Sequence, residues 1–298
     1  MKKFRSLTLA LVALVALAGC SLAQPTPWSA GSGKIKIVAS TNVWGSVVNL
    51  IAGDLATVDA IIYDTNQDPH SYELTARDQL KINNADIVIM NGGGYDDFMQ
   101  QAIDADPTPA ITVDAFMASG DDESRNEHIW YDVDQVGDAA AVIGAAIESI
   151  DESKFDEIET RVADFRKKLD ARKAQLDKLR ATPQRVFLTE PLPAYLVEDA
   201  GFEDLTPVEF SNAVEEERDI PPTVMKEVTD LIKSGQVQAI YTVNRSQTFQ
   251  VDSLLSIDTK IPVYGFSELL MQDPDTYEYY GGYFELLDSG IKTLEGKW

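Results

Sequence analysis

From Asp151 to Pro183 the chain has no glycine and no proline before Pro183 itself, and charged residues dominate it. Phe155, Ile158, Val162, Phe165 and Leu169 recur at spacings of three and four. That spacing puts one narrow apolar stripe on a helix. A coiled coil requires heptads sustained for longer, so a single rod laid across the protein is the predicted form. A rod of this length leaves room for folded lobes on either side, and the predicted layout is lobe (34–150), connecting helix (151–183), lobe (184–298).

Both flanks alternate strand-like and helix-like segments. In the first, KIKIVAS (34–40), ATVDAIIY (56–63), DIVIMN (86–91) and AITVDAF (110–116) read as strands. Helical spacing follows at 43–54, at 75–85 with Thr75 as N-cap, and at 134–150. In the second, RVFLTE (185–190), VQAIYTV (237–243) and KIPVYGF (260–266) read as strands. Helices are predicted at 191–201, 222–235, near 246–257 and at the C-terminal end, with Gly201 and Gly235 closing two of them. Strands alternating with helices predict an α/β fold with parallel sheets.

The first nineteen residues read as an export signal: Lys2, Lys3 and Arg5 precede an apolar run from Leu7 to Ala18 that is short for a bilayer span. Leu17-Ala18-Gly19-Cys20 resembles the bacterial lipobox, which makes Cys20 the expected lipidation site. It is the only cysteine, so an intrachain disulfide is excluded. Residues 20–33, rich in Ser, Pro, Gly and Ala, read as a flexible tether. The body is therefore expected outside the cytoplasm, anchored to the cell membrane through lipid rather than spanning it. A formal net charge of −24 argues against a nucleic-acid partner and raises the local concentration of cations.

The chain has two histidines, and both sit beside acidic and aromatic residues. His70 follows Asp68-Pro69 in a turn shortly after a predicted strand, and His128 lies in NEHIWYD. Glu190 ends RVFLTE, and Asn244 follows VQAIYTV. In parallel α/β sheets ligands gather beyond the carboxyl ends of strands. Two imidazoles and a carboxylate suit a first-row divalent metal. The residues also admit a plainer reading, in which the histidines are structural or merely exposed and Glu190 caps a helix begun by Pro191.

The chain resembles the metal-binding solute-binding protein family 9, the lipoproteins that feed zinc or manganese ABC importers. DPHSYELTARDQLKINNADIVIMNGGG is similar to that family's first ligand segment, NEHIWYD to its second and LTEPLPAYLVEDAG to its third. The resemblance runs from about Lys34 to the C-terminus. It implies two Rossmann-like α/β lobes joined by one long backbone helix, a monomer, and a membrane permease as partner. It implies His70, His128 and Glu190 as ligands to zinc or manganese. The family's fourth, acidic ligand is expected after VQAIYTV, where this chain reads NRSQTFQVD. Asn244 or Gln247, or a water, is therefore expected to complete the shell. Two nitrogens with oxygens do not decide the metal, and the general affinity order favours zinc over manganese. Both imidazoles must be neutral to bind, so affinity is expected to fall as pH drops through about 6.5. Trp130 and Tyr131 are expected in the core beside the site.

A metal-dependent hydrolase using the same ligands is the alternative of another class, with Glu73 or Asp132 as the nearby base. No Gly-x-Ser-x-Gly elbow or His-Glu-x-x-His helix is present. A surface adhesin is compatible with the anchor, though no residue pattern requires it. Capture and release of the ion, without an enzymatic step, is the expected activity.

Overall fold

Several strands are apolar along almost their whole length, which only a sheet covered on both faces accommodates. In the computed structural model, which describes residues 33–118, 120, 125–215, 218–243, 249–257, 260–271 and 281–296, two such sheets form. The chain runs β1 (Ile35–Thr41), α1 (Asn42–Ala52), β2 (Ala56–Ile62), α2 (Ala76–Asn83) and β3 (Ile87–Met90). It continues through α3 (Asp97–Ala105), β4 (Ile111–Asp114), α4 (Ala115–Ala118) and α5 (Val133–Ile150). All pairings are parallel, in the order β2-β1-β3-β4. Every residue of β3 is buried.

The long α6 (Phe155–Leu179) follows. Ile158, Val162, Phe165 and Leu169 of the predicted stripe are buried, and Leu176 extends it, whereas Phe155 at the helix start is about half exposed. Gly144 permits the close approach of α5 to this helix. A Cβ there would lie 2.9 Å from Val162 Cγ2 and 3.1 Å from Ile158 Cγ2, both on stiff β-branched side chains.

The second half comprises β5 (Arg185–Leu188), α7 (Ala194–Asp199), β6 (Glu203–Asp204), α8 (Val208–Glu215) and α9 (Pro222–Lys233). Then come β7 (Ala239–Val243), α10 (Phe249–Leu255), β8 (Val263–Phe266) and α11 (Tyr283–Leu294). Its parallel order, β6-β5-β7-β8, repeats the winding of the first sheet. Arg172 of α6 ties α11 down through paired bonds of 2.9 and 2.8 Å to Asp288, with its guanidinium 4.5 Å from the Phe284 ring centre.

Helices α3, α4 and α8 and strand β6 have no counterpart among the sequence-based expectations, and the strand read over 110–116 ends at Asp114, where α4 begins. Strand β6 has two residues, and α8 lies between Pro207 and a run of glutamates that obscures its period. The helix predicted at 191–201 begins only at Ala194, because Pro191 and Pro193 form a turn in which the Ala194 amide donates to the Pro191 carbonyl at 2.9 Å. Glu190 therefore does not cap a helix starting at Pro191.

The segment after β8 is fastened to the first lobe. The Asn42 amide donates to the Leu270 carbonyl and accepts from its N–H, both at 3.1 Å. The Tyr131 hydroxyl donates to the Ser267 carbonyl at 2.7 Å. Among the described residues no helix is long and apolar enough to cross a membrane. Cys20, the export signal and nearly all of the tether lie outside the described residues.

Candidate metal centre

The turn carrying His70 is built by its own sequence. The His70 amide donates to Asp68 Oδ1 at 3.0 Å, bending the chain around Pro69. Two residues on, the Tyr72 hydroxyl donates to Asp78 Oδ2 at 3.0 Å. Asp78 also closes a capping box with Thr75 at the start of α2. The Asp-Pro-His-Ser-Tyr-Glu stretch is thereby pinned to a helix N-terminus, and the imidazole projects from a braced loop.

His128 is set differently. Asn126 Oδ1 accepts from the His128 backbone N–H at 2.9 Å and lies 2.8 Å from its Nδ1. An oxygen that already accepts a backbone N–H is an acceptor for the ring as well. Nδ1 therefore carries a proton, and Nε2 is the nitrogen turned toward the site and left for a metal. The ring is buried, 5.1 Å from Trp130. From the second lobe, the Tyr195 hydroxyl donates to the Asn126 carbonyl at 2.5 Å.

The two imidazoles converge, with ring centres 6.0 Å apart. The third member of the constellation is Glu215, the last residue of α8. Its Oε1 lies 3.8 Å from His70 Nε2 and 3.7 Å from His128 Nε2. The ligand atoms of these three residues fall within 4.8 Å of one another, a spacing a single cation can bridge. Glu215 Oε1 is buried and accepts no hydrogen bond among the described residues. A carboxylate oxygen so placed is satisfied well by a cation.

More carboxylates surround it. Burial raises the pKa of Glu215, and a hydrogen bond with Glu127 and the charges of Glu127, Glu190 and Glu268 raise it further. Burial also acts to raise Glu127, but the neighbouring His128 charge and the bond from Glu215 outweigh it, and its pKa falls. The pair holds a proton on Glu215 while Glu127 stays ionised. Glu268 is buried, and its Oε1 accepts from the Tyr95 hydroxyl at 2.9 Å. A concave group of glutamates around two imidazoles concentrates negative potential where a divalent cation would sit.

The family profile described as "Zinc-uptake complex component A periplasmic" matches residues 37–296. The chain belongs to this family. The manganese ABC transporter substrate-binding lipoprotein scaA of Streptococcus gordonii is 25% identical over 300 residues, covering 93% of this chain and 94% of its own length. The manganese-binding lipoprotein MntA of Halalkalibacterium halodurans is 27% identical over 271 residues, with 87% and 88% covered. The periplasmic zinc-binding protein TroA from Treponema pallidum superposes with a TM-score of 0.71 at 19% identity, over 88% of this chain and 99% of that one. The shared fold is the two-lobed α/β architecture with its long connecting helix.

Of the ligands read from the sequence, His70 and His128 are brought together. Glu190 lies near enough for its charge to act on Glu215, but it is not one of the three residues whose ligand atoms cluster. Asn244 and Gln247 lie outside the described residues. Asp132 is engaged as the N-cap of α5, accepting from the amides of Asp134 and Gln135. Glu73 is exposed. Trp130 and Tyr131 are core residues, and Trp130 also backs the His128 ring.

Glu215 and Glu268 are absent from the sequence-based ligand set. For Glu268 the signal exists: it stands two residues past the end of β8, where the strand-end rule places ligands. For Glu215 there is none, since Glu215, Glu216 and Glu217 follow one another and no spacing singles one out.

Proposed function

We propose that this protein captures a divalent transition metal between its lobes and hands it to a membrane permease of an ABC importer. The observation that carries the reading is Glu215 Oε1 lying within 4 Å of both imidazole Nε2 atoms. His70 and His128 act as nitrogen ligands, with Glu215 the bridging carboxylate and Glu190 and Glu268 further carboxylates from the second lobe. Asn244 and Gln247 remain candidate neutral ligands from the loop after β7. The metal is cargo and undergoes no chemistry, in keeping with a family described as a component of an uptake complex.

Manganese fits this oxygen-rich shell better than the zinc favoured by the bare count of two nitrogens. Hard carboxylate oxygens narrow zinc's general advantage. Two relatives carry manganese in their names, and the family description carries zinc. Lipidation at Cys20 anchors the chain at the outer side of the cell membrane, as the lipoprotein names of those relatives support. Metal bridging residues of both lobes stabilises the closed arrangement by mass action.

The test is calorimetric titration of chelator-stripped protein with manganese and, separately, with zinc. One ion bound per chain is expected for each, with a rise in melting temperature. Absence of saturable binding by either ion sinks the reading, and turnover of generic esters or phosphates by the zinc-loaded protein would favour a hydrolase instead.

Asn126 has a defined part in this reading, because its oxygen fixes the tautomer of His128. Asn126→Ala is expected to weaken manganese binding by about 10- to 100-fold, the range for a partner behind a ligating imidazole. The far-ultraviolet circular dichroism of the variant should match the parent's.

A further inference from the structure

Tyr95 touches both imidazoles and the buried carboxylate of Glu268 from the second lobe. Its position is forced by the turn that precedes it. Gly92, Gly93 and Gly94 all adopt positive φ (79°, 67° and 95°), and a Cβ on Gly92 would collide with the Asp114 carboxylate. Asp96, just after Tyr95, closes the turn by accepting from the amides of Asn91 at 2.6 Å and Gly92 at 2.8 Å. Tyr95 is thus clamped on both sides in sequence, and it is buried.

Its ring meets His70 edge-on with centres 5.0 Å apart, meets His128 at 5.7 Å and packs on Trp130 at 4.6 Å. Its hydroxyl reaches across to Glu268 Oε1. Glu268 has little freedom of its own, since Tyr131 holds the Ser267 carbonyl and Asn42 holds the Leu270 backbone on either side of it. One rigid aromatic side chain therefore sets the two nitrogens and the opposing carboxylate relative to each other.

We propose that Tyr95 is a positioning residue that sets metal preference by limiting how Glu268 binds. With Oε1 accepting from the Tyr95 hydroxyl, the carboxylate of Glu268 is oriented to meet an ion through its other oxygen, and chelation through both is disfavoured. A carboxylate confined to one oxygen suits a small, four-coordinate ion such as zinc. A carboxylate released to chelate through both oxygens adds to the coordination number, which larger oxygen-preferring cations accept readily. Tyr95 thus holds the shell below the oxygen count its glutamates would otherwise provide, keeping zinc competitive and larger hard cations such as calcium out. This rests on the metal-capture reading above.

The test is Tyr95→Phe, which keeps the ring, its contacts with both imidazoles and the buried volume while removing only the hydroxyl. Manganese and zinc affinities are measured by competition with a chelator, and calcium binding is measured alongside. The ratio of manganese to zinc affinity is expected to rise about tenfold, within the range typical of an outer-shell partner, and calcium binding is expected to become detectable. A purely structural role lowers both affinities together, so an unchanged ratio, or a proportional loss for both ions, overturns the proposal. His70→Ala is measured in parallel. If it retains full affinity, the metal site itself is misplaced. If it loses binding while the Tyr95→Phe ratio is unchanged, only the role of Tyr95 falls.

Discussion

His128→Ala is expected to abolish tight metal binding, with a loss greater than the roughly 100-fold that marks the upper end for outer-shell partners. The imidazole is buried, its Nδ1 faces Asn126, and its Nε2 is aimed at the point where Glu215 and His70 meet. A methyl group there leaves a gap behind Tyr95 and Trp130, lined largely by aromatic carbon, where water is a poor substitute ligand. His70 is a contrasting case, since its side chain is 24% exposed on a loop against 3% for His128. Solvent can partly replace it, so His70→Ala should lose less affinity than His128→Ala. Titration of both variants with manganese checks the order. Equal, small losses in the two would mean that the rings do not share an ion.

The difference between the two histidines bears on what a sequence discloses. The His70 loop is legible because its geometry is local: Asp68 bends the turn, Pro69 stiffens it, and Tyr72 and Thr75 pin it to α2 through Asp78. The alternation that predicts two parallel sheets is legible for the same reason, as is the apolar stripe of α6. Glu215 is another matter. It arrives from a short helix of the other lobe, and its partners lie far away in sequence, where no periodicity connects them. Glu268 is intermediate, marked by the end of β8 but overshadowed by the family's expected acidic ligand after β7. Tyr95 reads from sequence as an aromatic residue beyond a glycine turn, and only the folded chain shows what its ring and hydroxyl join. Single segments thus announce their own shape, whereas a site assembled from both lobes depends on the tertiary packing that brings them face to face.

Glu215→Gln is expected to reduce metal affinity strongly and to remove one proton from the binding reaction. In the metal-free protein burial, together with Glu127, Glu190 and Glu268, holds the Glu215 pKa above its usual value of 4.5. An arriving divalent cation has to displace that proton, so affinity should rise with pH by about one log unit per pH unit for each proton released. Glutamine keeps the volume and can still donate to Glu127, but it has no proton to yield and carries no charge for the ion. Calorimetry in two buffers of different ionisation enthalpy counts the protons directly, and the variant should release about one fewer than the parent. The stability of the metal-free protein provides a second readout with a definite sign. A carboxyl whose folded pKa is raised contributes stability in full below its unfolded pKa, and that contribution is lost as pH climbs from there through the folded value. The parent's melting temperature should therefore decline more steeply above pH 4.5 than that of Glu215→Gln. Equal proton release by the two proteins would show that Glu215 is ionised before the metal arrives, and would take it out of the shell that has to be deprotonated.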